Sequence, residues 1–371
     1  MPAAGLDDAQ AIALLVGAVG RPSPSGEEGA VAAFLRDALS RFAPDARLDA
    51  AGNAVASVGH GPRRVIMLGH IDTVAGWWPV RHADGVIHGR GAVDAKGPFC
   101  AMIVAASRLS DAAQEGLTVR LVGAVEEEAP TSRGARHAVA SEEPPDLVVI
   151  GEPSGWDAVT LGYKGRLVLR IEARRSLAHS ARDEPTAPEL VVAAWQAVDA
   201  WAREEASEAP GVFDAVQAAL LELGSGGDGL HAWAHAVVGL RLPLACPPET
   251  AEARVRSATR SVALPDGASL TIAAGASERA YRGPRDTALT RAFRTAIRRH
   301  GGTPRLTLKT GTSDMNVVAP HWHVPMLAYG PGDAALDHTP DEHVGVAEYL
   351  RAIDVLVDVL ERLAAGAGEP P

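Results

Sequence analysis

Residues 67–77 read MLGHIDTVAGW. The apolar run VIML at 65–68 stops at Gly69, and His70 and Asp72 follow two residues apart. A short, β-branched apolar run of this kind reads as a strand buried on both faces. Its last step therefore delivers an imidazole and a carboxylate to the end of a buried strand. Three more runs share the pattern: TVRLVGAV at 118–125, DLVVIG at 146–151 and VPMLAYG at 324–330. Helical stretches alternate with them, among them Lys96 to Leu109 and Val344 to Leu363. That alternation predicts an α/β fold whose mixed, mostly parallel sheet is flanked by helices.

The middle of the chain has a different rhythm. RLVLRIEAR at 166–174 alternates apolar and polar residues, as a half-covered strand does. APELVVAAWQAVDAWAREEA at 187–206 places Leu190, Val191, Ala194, Trp195, Val198 and Trp201 on one helix face. Strand patterns follow at 215–224 and 232–244, then a helix at 249–263 and a strand at 269–275. The order β-α-β-β-α-β is the split-βαβ, ferredoxin-like arrangement. The reading is thus a large domain from 1–159 and 276–371, with a smaller domain inserted at 160–275. The small domain offers a dimer surface, through its helix or the edge of its sheet; equally, the helix with Trp195 and Trp201 simply covers its own sheet. The end, AAGAGEPP, is expected to fray.

Composition sets limits. The chain has 371 residues, 47% hydrophobic and 22% charged, which suits a soluble two-domain protein. No apolar run reaches the ~18–20 residues of a membrane span. The N-terminal segment lacks the basic start of a secretion signal. Two cysteines, Cys100 and Cys246, imply no disulfide framework, so a cytoplasmic setting is expected. A net charge of −11 argues against nucleic acid as a partner. Arg279, Arg282 and Arg285 form a local basic group, either a patch for an acidic partner or a solvated loop.

The polar clusters follow the strands. His70 and Asp72 follow the first; Glu126, Glu127 and Glu128 follow the second; Glu152 follows the third; His338 lies eight residues beyond the fourth. In an open α/β sheet the carboxyl ends of the strands are where ligands bind. GRGAVDAKG at 89–97 adds Asp94 at the entrance to a helix, where it can also be an ordinary N-cap. So many acids and imidazoles at one edge repel or desolvate one another unless cations are present. Histidine and carboxylate without thiolate suit Zn²⁺ or a similar ion in an open site.

GHIDTV, GRGAVDAKG, EEEAPTSRG, GEPS, TSDMN and DHTPDEH, in that order, resemble the M20 family of di-metal amidohydrolases and aminopeptidase-like enzymes. The resemblance runs along nearly the whole chain. It implies two divalent cations, zinc or cobalt. His70, Asp94 and Glu152 would hold one, and Asp94, Glu128 and His338 the other, with Asp94 as the bridge. Asp72 would bond the far nitrogen of His70, and Glu127 would be the general base. Shifting the base and ligand to Glu126 and Glu127 is the alternative register. The resemblance also implies a cis peptide at Asp94–Ala95. His179 would stabilise the oxyanion, and Arg241 would pair with a substrate carboxylate. Thr312, Ser313, Asp314 and Asn316 would face the substrate, although Gly-Thr-Ser is equally a helix cap. A hinge between the domains would close the site.

Within the family these motifs are most similar to the branch that releases lysine, and sometimes ornithine, from the C-terminal glutamate side chain of an amino-group carrier protein. Ala95–Lys96 and TSDMN carry that likeness. An acidic carrier would be the partner, with no nucleic acid and no membrane, and the enzyme would be a homodimer. Asp314 would meet a lysine ε-amine. The runner-up is a deacylase of the acetylornithine or succinyl-diaminopimelate type. A binding relative that lost its metals is the non-enzymatic reading, and the intact acids and imidazoles oppose it.

Overall fold

The computed structural model describes residues 5–177 and 183–366. The chain divides into two compact units. One takes the chain up to Gly162, Gly283–Leu308 and everything from Ser313 on; the other takes Tyr163–Arg282 and Lys309–Thr312. The sequence reading put the smaller unit at 160–275. Its last strand, Ser269–Glu278, runs further than the apolar pattern and carries the unit on to Arg282.

The large unit is built on a mixed sheet. Leu117–Ala124, Arg63–His70, Leu147–Gly151 and Met326–Ala328 lie side by side and parallel. Ala54–Gly59 pairs antiparallel outside Leu117–Ala124, and Ala158–Tyr163 pairs antiparallel with Met326–Ala328. The parallel strands are buried almost throughout, as helices on both faces require. The helix Lys96–Ser107 is apolar all round and its residues 96–106 are all buried. It lies close against the sheet because two strand positions are glycine. A Cβ at Gly123 would stand 2.6 Å from the Phe99 ring, and one at Gly69 would stand 3.1 Å from Phe99 Cβ. A separate three-stranded sheet, His343–Gly345, Val86–His88 and Arg81–Ala83, has no counterpart in the sequence reading. Its strands have three residues each, too short for a periodicity to register.

The small unit has the order β-α-β-β-α-β. Its strands lie as Gln217–Gly227, His231–Leu242, Gly165–Ser176, Ser269–Glu278, each antiparallel to its neighbours. The helix Ala187–Ser207 starts at a capping box formed by Thr186 and Glu189. Its Leu190, Val191, Ala194, Val198 and Trp201 are buried in this unit's core with Leu167, Leu169 and Ile171 of the strand. The helix therefore covers its own sheet. The edge strand Gln217–Gly227 exposes Leu220, Leu221 and Leu223. Cys100 and Cys246 are free and buried. Among the described residues, no helix is long and apolar enough to cross a membrane.

Candidate metal centre

The strand register explains why the polar loops meet. His70 sits opposite Ala124, so the loop carrying Glu126–Glu128 leaves the sheet beside it. Gly69 sits opposite Gly151, so Glu152 emerges one step beyond. His70 Nε2 is 3.1 Å from Asp94 Oδ1 and 3.9 Å from Glu152 Oε1. His338 Nε2 is 3.0 Å from Asp94 Oδ2 and 2.8 Å from Glu128 Oε1. Asp94 thus turns one carboxylate oxygen to each imidazole. One ligand atom each of His70, Asp94 and Glu128 falls within 4.8 Å of the other two, a group that can hold a metal ion. The peptide Asp94–Ala95 is cis. Asp94 caps no helix: the N-cap is Ala95, and it makes no side-chain cap.

The glutamate loop is held by its main chain. Val125 N–H donates to Asn53 Oδ1 at 3.1 Å and Glu126 N–H to Glu28 Oε1 at 3.1 Å. Glu127 N–H donates to Asp72 Oδ1 at 3.0 Å, and Glu128 N–H to Asp72 Oδ2 at 2.9 Å. Ser25 Oγ–H adds a bond to Asp72 Oδ2 at 2.7 Å. This modifies the expected place of Asp72. His70 Nδ1 approaches its main-chain carbonyl at 3.0 Å, whereas the carboxylate is 3.5 Å away. The carboxylate is occupied in shaping the glutamate loop. A proton on Nδ1 shared with Asp72 leaves Nε2 facing the cluster with its electron pair. The Glu126 carboxylate points elsewhere, to Thr131 Oγ1 at 2.6 Å and Arg133 Nε at 2.9 Å.

The charges strain against one another. Burial raises the Asp94 carboxyl, but hydrogen bonds from His338 and His70 outweigh it and hold the group well below the usual range. Its hydrogen bonds to Asp94 and then to Glu128 push His338 up to about 10. Burial drives Glu127 well up, opposed by His70 and helped by the charges of Asp314, Glu152 and Glu128. Three carboxylates and two imidazoles, with no thiolate, face an acid-rich space. That donor set fits divalent cations, and the two faces of Asp94 fit a pair of them.

Other expected residues fall differently. Ser313 and Asn316 form a capping box on the short helix Asp314–Val318, as the helix-cap reading had it. Asp314 is buried and close enough to act on Glu127. In the small unit Arg241 Nη1 donates to Thr312 Oγ1 at 3.0 Å. His179 lies outside the described residues. Lys96 donates to the carbonyls of Ala18 and Arg21 at 3.3 and 2.7 Å, so it supports the end of the helix Asp8–Val19. Arg279 forms an ion pair with Glu249. Ser25, Asn53, Glu28, Arg90 and Glu342 carry almost no signal in the sequence, because the bonds by which they support the site join them to distant segments. The only local hints were Arg90 in GRG and Glu342 in DEH.

The fold and this cluster suit a metal-dependent hydrolase, and residues 66–362 match the model of Peptidase family M20/M25/M40. The chain belongs to that family and acts on amide bonds as one of its hydrolases. It is 52% identical to the LysW-lysine hydrolase of Deinococcus radiodurans, over 97% of this chain and 99% of that one. It is 38% identical to a Thermococcus kodakarensis protein provisionally named a LysW-lysine/LysW-ornithine hydrolase, over 92% and 88% of the two chains. In fold it resembles the M20 family metallo-carboxypeptidase Sso-CP2 from Sulfolobus solfataricus, with a TM-score of 0.76 and 16% identity over 96% of this chain and 99% of that chain.

Proposed function

We propose that this protein hydrolyses the amide joining lysine, and/or ornithine, to the C-terminal glutamate side chain of an acidic amino-group carrier protein. The step would end lysine biosynthesis, and arginine biosynthesis where ornithine is released. The observation that carries the reading is the Asp94 carboxylate divided between His70 and His338, in a chain 52% identical to a LysW-lysine hydrolase. His70, Asp94 and Glu152 would hold one divalent cation, zinc or cobalt, and Asp94, Glu128 and His338 the other. Bound there, such cations polarise the amide carbonyl and lower the pKa of water. Glu127 is the general base: it takes the proton of the attacking water and gives it to the departing amine as the carbon–nitrogen bond breaks. Burial, and after it the acids around the carboxyl, raise its pKa, which favours proton return. The commitment of Glu126 to Thr131 and Arg133 supports this register. Asp72 fixes the ring of His70 and the main chain of Glu127 and Glu128.

Arg241, steadied by Thr312, would receive the substrate's carboxylate by paired hydrogen bonds. Asp314 would meet the lysine ε-amine, and His179 the oxyanion. The exposed leucines of Gln217–Gly227 support a homodimer formed through that edge. Two free cysteines support a cytoplasmic setting.

The deciding assay is hydrolysis of carrier-linked lysine beside acetylornithine and succinyl-diaminopimelate, with added Zn²⁺ or Co²⁺. Preference for carrier-linked lysine is the expected result. Preference for the free acyl amino acids would overturn the carrier assignment and favour a small-molecule deacylase.

A further inference from the structure

Glu342 is fully buried, and the chemistry above makes no use of it. Its Oε1 accepts from the main-chain N–H groups of Gly91, Val93 and Asp94 at 2.9, 3.0 and 3.1 Å. Its Oε2 accepts from Arg90 Nη1 at 2.8 Å. Burial pushes the Glu342 carboxyl up, and the N–H groups of Asp94 and Val93 and the charge of Arg90 offset that push only in part. Arg90 is itself 6% exposed and lies 5.0 Å over the Trp78 ring. It also donates through Nε to the Gly76 carbonyl at 3.3 Å and through Nη2 to the His338 carbonyl at 3.4 Å. His338 has a φ of 63°, a left-handed conformation that its surroundings must maintain. Pairing of His343–Gly345 with Val86–His88 brings the two segments together. Glu342 and Arg90 stand immediately beyond that ladder and reach the residues that matter.

We propose that Glu342 and Arg90 are positioning residues: they lock the 89–94 turn, and so the Asp94 carboxylate, to the turn that presents His338. A buried ion pair is by itself weak evidence for stability, because desolvation offsets its attraction. Here its effect is geometric. It fixes the separation of two groups contributed by segments 248 residues apart, the span from Asp94 to Glu342. The inference rests on the reading of Asp94 and His338 as cation ligands.

Glu342→Gln tests the pair. It keeps an oxygen for the three N–H groups but turns an amide NH₂ toward the Arg90 guanidinium. Arg90→Lys keeps the charge and loses the fork that reaches Glu342, Gly76 and His338 at once. Zinc is titrated calorimetrically into metal-free wild type and both variants, alongside thermal melting and hydrolysis of carrier-linked lysine. Both variants should bind zinc about 10–100-fold more weakly, the usual effect of losing a group that orients ligands. Saturating zinc should restore most of kcat. A lower melting temperature with zinc affinity unchanged would show a merely structural pair and overturn the inference. If Glu342→Gln fails to fold, Arg90→Lys decides by the same criterion. Wild type that takes up no zinc would overturn the function reading, and this inference with it. Equal zinc affinity in wild type and variants would overturn this inference alone.

Discussion

Glu127 and Glu128 are neighbours with different surroundings. Each donates its main-chain N–H to one oxygen of Asp72, which holds the loop that carries both side chains. Glu128 meets His338, whereas Glu127 stands among Asp314, Glu152 and His70. Glu127→Ala should therefore keep its bound metal and lose ~10²–10⁴ in kcat, the usual worth of a general base. Glu128→Ala should lose metal as well, read by elemental analysis of the purified protein. The reverse pattern would restore the Glu126/Glu127 register. At this scale the sequence was a good guide to which residue types gather, and a poor guide to what each one touches. Asp72 was legible as a partner of His70. Its larger task, accepting from two N–H groups and Ser25, depends on a loop more than 50 residues on.

Among the elements, the helix Lys96–Ser107 and the sheet beneath it leave no slack. Gly123→Ala would place a methyl 2.6 Å from the Phe99 ring, which has no room to move in a fully buried helix. Such overpacking costs about 1–3 kcal/mol, measurable by urea denaturation. Because the displaced helix follows Asp94, zinc affinity should fall as well. In the small unit Lys164 is buried and donates to the Val212 and Ala215 carbonyls and to Gln217 Oε1. Burial, then the charge of Arg241, lowers its pKa to about 8 from 10.5. The unfolded chain thus binds more protons than the folded one between these values, and the lysine's contribution to stability rises with pH across that window. Denaturation of wild type and Lys164→Met from pH 7.5 to 10.5 should show a gap that widens with pH. A constant gap would contradict the shift. The long strands and helices were legible because their periodicity spans several turns or alternations. The three-residue strands around His88 and His343 were not, since only their partners make them strands.

For the whole molecule, the proposed homodimer depends on the edge strand of the small unit. Leu221 is 60% exposed and Leu223 is 51% exposed, on a strand whose outer edge has no partner strand among the described residues. Replacing both with glutamate should convert the protein to monomers in light scattering and leave each unit folded by circular dichroism. Wild type that is monomeric at micromolar concentration would remove this reading.

The amino-acid order alone determined the class of fold, the inserted split-βαβ unit, and the set of acids and imidazoles delivered to strand ends. Those follow from local periodicity and from the topology that periodicity implies. Tertiary structure alone decided that the Asp72 carboxylate holds the glutamate loop, that Lys96 supports a helix end, and that Glu342 and Arg90 hydrogen-bond to both turns. The reason is physical. Hydrophobic pattern specifies which face of an element is buried, whereas a hydrogen bond between distant segments exists only once strand register has fixed their separation to within a few tenths of an ångström.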